Sequence, residues 1–225
     1  MESHPHDTTA RSESATMKRL RVVYSLALAL AGTLSGAGCG AVRYPAHYVL
    51  NFPAPMQRIA PPEVSGPLVV REFQCPQYLC DGRLVYRPTP EEIGFYEFHR
   101  WAMNPRQMVT RYIADTVRMK SLFSHVVLED AGVQPAYVLN GNIERLEEVD
   151  QGGVSAVCTI SVELIDAKTK SILWSFTASE TIPVRRRDVP GVVAGLSTAA
   201  GLTIEKVVMS LEDALTKTVK INQKS

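Results

Sequence analysis

Four cysteines and five histidines are the residues of this 225-residue chain best suited to covalent or metal chemistry. His4 and His6 lie in a polar extension, which leaves His47, His99 and His125 scattered through the body. Cys75 and Cys80, in the run CPQYLC, are separated by four residues in a proline-containing connection. A zinc site would need two further ligands, and no C-x-x-C or paired His supplies them. No metal is expected. In an oxidising compartment the same two cysteines read as a small disulfide loop. Cys158 falls on the apolar face of an alternating segment and reads as a buried free thiol. Glu144, Glu147, Glu148 and Asp150 read as a solvated strand end rather than as paired catalytic carboxylates. His99, among Phe95, Tyr96, Phe98 and Trp101, reads as a packed strand histidine. G-x-S-x-G, H-E-x-x-H, P-loop and G-x-G-x-x-G patterns are all missing from the sequence. The expectation is a protein without catalytic residues or cofactor, and not an enzyme.

The start of the chain supplies the compartment. Residues 1–16 are polar; from Met17, the cations Lys18, Arg19 and Arg21 precede the apolar run Val22–Leu34 and the small residues Ser35–Gly38. Those thirteen residues fall short of the ~20 that cross a bilayer. Their order (charge, short apolar core, small residues) is that of a secretory signal, with translation expected from Met17. Ala37-Gly38-Cys39 resembles the end of a bacterial lipobox. Cys39 is therefore the expected lipidation site, with residues 1–38 removed as N-terminal extension and signal peptide. Gly40, where Asp would retain the protein in the inner membrane, points to the outer membrane. Removal of four of the 24 basic and three of the 23 acidic residues leaves a formally neutral mature chain. Neutrality speaks against a nucleic-acid partner.

Residues 39–67 read as a lipidated, proline-rich tether. Pro45, Pro53, Pro55, Pro61, Pro62 and Pro67 forbid a helix, and only His47–Phe52 could form a strand. At ~3.1 Å per residue such a tether would hold a domain several tens of ångströms off the membrane. The domain itself is expected over 68–225, with strands at Leu68–Phe73, Leu84–Arg87 and Ile93–Trp101. Asn104 as a cap, Pro105 at the first helical position and Gln107 at the capping-box spacing start a helix. Met108, Val109, Tyr112, Ile113, Thr116 and Val117 give it one apolar stripe. Strands follow at Val126–Leu128, Tyr137–Val149, Val154–Ile165 and Ser171–Thr181, the last three as a meander. A second helix is expected from about Pro190 to Lys217. The order predicts an α+β fold, a mainly antiparallel sheet with two helices packed on one face. Along the second helix Gly191, Gly195 and Gly201 recur with Ala194, Ser197 and Ala200. They are expected to admit a sheet or a partner closely, and are candidates for docking or a homo-oligomer. Arg185, Arg186 and Arg187 are the sharpest charge cluster, either a solvated loop or a contact with lipid headgroups or protein.

Leu84-Val85-Tyr86-Arg87, then Tyr96, His99-Arg100-Trp101-Ala102, Pro105 and the run Leu122-Phe123-Ser124-His125-Val126-Val127 carry a resemblance. With Tyr48-Val49-Leu50 before them and the later sheet and helix, they make residues 40–217 similar to the ABC-type transport auxiliary lipoprotein family, of the paraquat-inducible protein C type. That resemblance implies an outer-membrane lipoprotein facing the periplasm. It would work by contact with an MCE-domain protein and an inner-membrane ABC transporter in moving lipids. The CPQYLC insertion and the missing lipobox leucine are departures from the family pattern. An alternative from another class is a periplasmic lipoprotein that activates a cell-wall synthase or joins a secretion assembly.

Overall fold

The computed structural model describes residues 43–129 and 132–222. Cys39, Gly40 and the signal 1–38 lie outside them. Eight strands form one sheet: β1 (Ala46–Tyr48), β2 (Val64–Val70), β3 (Arg83–Thr89), β4 (Glu92–Trp101), β5 (Phe123–Leu128), β6 (Tyr137–Asp150), β7 (Val154–Asp166) and β8 (Ile172–Pro183). Among the described residues three helices accompany it: α1 (Gln77–Cys80), α2 (Pro105–Met119) and α3 (Val189–Asn222).

The expected meander is present, with β6, β7 and β8 antiparallel in sequence order. The sheet as a whole is mixed, however, and not mainly antiparallel. β1 runs parallel to β4, β2 to both β5 and β6, and β3 to β6. The cause lies in β6. One of its edges is covered along its length by β7, while the other is shared, β2 pairing at Leu139 and β3 at Glu148. Between those two contacts the chain stays on β6 through Gln74, whose N–H donates to Gly141 O (2.8 Å) and whose carbonyl accepts from Ile143 N–H (2.8 Å). It then leaves the sheet for α1, a single turn that the sequence pattern does not disclose.

α2 begins as its start signals dictate, except that the Asn104 side chain accepts from Arg106 N–H (3.1 Å). Its stripe Met108, Val109, Ile113 and Val117 is buried. The alternating face of β7 (Ala156, Cys158, Ile160, Val162, Leu164) is buried with it, and with Leu196, Ile204, Val208 and Leu211 of α3, in one continuous core. α3 has the length and apolar composition of a membrane span, at mean hydropathy 1.4, but 67% of that stretch is buried within the fold. It is a core helix.

Gly141 of β6 carries the fully buried Phe73 ring, which would lie 2.3 Å from an added Cβ. Gly141→Ala should therefore destabilise the domain by about 2 kcal/mol through overpacking, read as a lower urea midpoint.

Candidate docking face and buried polar clusters

The segment expected to be a free tether is fastened to the domain. β1 pairs with β4 over Ala46–Tyr48, and Ala102 N–H donates to Tyr48 O (2.8 Å). Beyond it, Leu50 is buried against α2, and Asn51 N–H donates to Ser197 Oγ on α3 (3.0 Å). Phe52 stacks on Tyr112 of α2 with ring centroids 4.1 Å apart. Arg58 N–H then donates to Met119 O (2.8 Å), and Ser121 Oγ donates to Arg58 O (3.1 Å). Residues 49–63 are thus a strap lying along α2, from near Met108 to Met119. The compact unit accordingly begins at Tyr44 rather than at residue 68.

Between its fastenings the strap bridges a groove of about 690 Å³, bounded by Pro53–Gln57, Tyr112, Thr116, Gly201 and Leu202. Apolar surface with a few polar groups is the usual lining of a binding groove of this size. One end carries an ion-pair cluster. Arg58 meets Glu63 (2.8 Å) and Glu212 (3.2 Å), and Lys120 meets Glu212 (2.9 Å).

The helix residues singled out for docking have different fates. A Cβ on Gly191 would lie 2.2 Å from Arg186 O, and one on Gly195 would lie 2.9 Å from Ala156 Cβ. Their smallness admits the chain's own loop and sheet. Gly201 faces the strap near Pro53 and Phe52 with room to spare, so of the three it alone opens onto the groove. Arg185, Arg186 and Arg187 are exposed, and Arg186 pairs with Asp188 (2.5 Å). Asp188 in turn accepts from Gly191 N–H (2.8 Å) at the start of α3.

The acidic stretch corrects a second expectation. Glu147 has no exposed surface and Glu148 is buried. Arg87 of β3 grips both oxygens of Glu147 (2.8 and 3.0 Å), and Arg145 adds a third bond (2.7 Å). Glu148 points the other way and accepts from the Tyr96 hydroxyl (2.6 Å). Burial raises the Glu148 pKa above its ordinary value, against the Tyr96 hydrogen bond and with help from Asp150. Tyr96 lies edge-on to His99 and Tyr86, and His99 shares a hydrogen bond with the Tyr48 hydroxyl (3.0 Å). His99 is thus packed. These bonds join strands; they do not assemble an acid–base pair at an open cleft.

Cys75 and Cys80 are joined, with Cα atoms 6.2 Å apart, within the range a disulfide requires. Cys158 is buried, its thiol pushed up to about 12 by desolvation, and is inert at neutral pH. Among the described residues no cluster of His, Cys, Asp and Glu could hold a metal.

The family model for the ABC-type transport auxiliary lipoprotein component matches residues 48–208, from β1 into α3. No curated protein matches the chain. Among solved structures, a Xanthomonas campestris protein shares the fold with a TM-score of 0.69 at 19% identity, over 78% of this chain and 99% of that one. An uncharacterised protein does so with a TM-score of 0.59 at 14% identity, over 75% and 99%.

A carboxyl whose folded pKa exceeds its unfolded one binds its proton more tightly in the folded state. Its contribution is most favourable below the unfolded value and is lost as pH rises through the folded one. Glu148→Gln keeps an acceptor for Tyr96 and removes the buried charge. It should raise Tm at pH 8, with the gain shrinking as pH falls through the raised folded value and gone below the ordinary value of 4.5. Cys39 aside, unfolded but unreduced protein should show one titratable thiol, Cys158. Three would mean that Cys75 and Cys80 are reduced.

Proposed function

The chain belongs to the ABC-type transport auxiliary lipoprotein family, and from that premise we propose that it is an outer-membrane-anchored component of an ABC/MCE-type lipid transport system. It is held by a lipid on Cys39, faces the periplasm, and acts by contact with an MCE-domain protein and, through it, the inner-membrane transporter. The single observation that carries this reading is the extent of the family match, which runs through the strap, the split sheet and most of α3. Support comes from the disposition of polar groups. The buried carboxylates are spent on Arg87, Arg145 and Tyr96, and the buried thiol is protonated. That disposition fits a protein that works through its surfaces.

The strap changes how such a protein would stand on its membrane. With β1 starting at Ala46, the chain from Cys39 is seven residues long, not twenty-eight. Fully extended, it spans only about 25 Å. The domain therefore stays close to the bilayer, and an MCE assembly would have to reach down to it.

Co-purification from cross-linked envelopes tests the proposal. The intact protein should bring down an MCE-domain protein, and Cys39→Ala should move the domain from the outer-membrane fraction to the soluble periplasm or leave an uncleaved precursor. Recovery of a cell-wall synthase without any MCE-domain protein would overturn the assignment of partner.

A further inference from the structure

We propose that the strap is a lipid-surface contact, with Met56 and Ile59 entering the headgroup region of the bilayer that holds Cys39. The inference rests on lipidation of Cys39. Met56 is 89% exposed and Ile59 95% exposed, close to the exposure of a free side chain. They nevertheless sit on a segment held at Asn51, Phe52 and Arg58 and stiffened by Pro53, Pro55, Pro61 and Pro62. Fixing large apolar side chains in water forgoes the gain from burying them, about 25 cal/mol for each Å² left uncovered. Two exposed methionines lie near the Arg58 fastening. Met119 gives its carbonyl to Arg58 N–H, and Met209 stands one turn before Glu212, the partner of Arg58. Methionine is suited to an irregular, fluid contact.

The reach of the chain selects lipid as the occupant. At most about 25 Å separates Cys39 from Ala46, and α2, along which the strap lies, is fifteen residues long, or roughly 22 Å. A domain hung by so short a leash can lay this face on the bilayer. Charge sets the lipid class. Arg58 and Lys120 are balanced by Glu63 and Glu212, so the contact is carried by apolar area and needs no anionic lipid.

The test uses the full-length, lipidated protein on phosphatidylcholine vesicles, with a polarity-sensitive fluorophore on Ile59→Cys and, as control, on Ser175→Cys of exposed β8. The native cysteines do not compete, since Cys75 and Cys80 are joined and Cys158 is buried. The probe at 59 should shift to the blue and brighten severalfold on vesicles, and the probe at 175 should not change. Protein that sediments with vesicles while the probe at 59 stays water-like would overturn the contact alone. Protein that does not sediment would overturn the anchor and the contact together. A shift produced only by an MCE-domain protein would reassign the strap to that partner.

Discussion

A strand of fourteen residues offers more hydrogen-bonding edge than either of its short neighbours on one side can satisfy. β6 resolves this by taking β2 near its start and β3 near its end, with Gln74 bridged to it in between. Unpaired backbone groups in a buried sheet would cost as much as lost hydrogen bonds. The excursion from Cys75 to Gly82 therefore has to return to the same edge. The joined cysteines close it, and Tyr78 within it contributes to the polar cluster of Arg87 and Glu147. Phe73 fills the space that Gly141 leaves, and its N–H donates to Thr110 Oγ1 of α2 (2.9 Å). Sheet, loop and helix meet at this one shared edge.

The helix layer follows from the same economy. Gly195 lets α3 settle on Ala156 of β7, and Thr203 donates from α3 to Cys158 O (3.2 Å). With the small residues near the start of α3 spent on internal packing, what α3 leaves open beside α2 is the groove and its strap. That surface is apolar at its tips, neutral in charge and adjacent to the expected anchor. On the reading proposed above, the membrane-facing chemistry of the chain sits on an irregular segment.

Local signals were the legible ones. The Asn104-Pro105 start and the 108–117 stripe of α2 lie within a few residues of each other, and the alternation of β7 needs no knowledge of its neighbours. The parallel pairings were not legible, because nothing in Leu68–Val70 or Tyr86–Arg87 states which edge of which strand it will meet. Glu147 and Glu148 looked solvated because their partners, Arg87 and Tyr96, come from strands 60 and 52 residues away. The prolines of the strap correctly denied it helix and long strand. Its docking rests on Ser197, Tyr112 and Met119, which no spacing connects to it. The glycines of α3 revealed close approach but not the identity of what approaches.

Amide hydrogen exchange at Asn51 and Arg58 tests most directly whether the proline-rich segment is part of the folded body. Both N–H groups donate, to Ser197 Oγ and Met119 O, so both should exchange far more slowly than an unstructured chain, and Ser197→Ala should release Asn51 selectively. Exchange of both at the free-chain rate would mean that the segment is a loose tether after all, and that the domain stands off from its membrane.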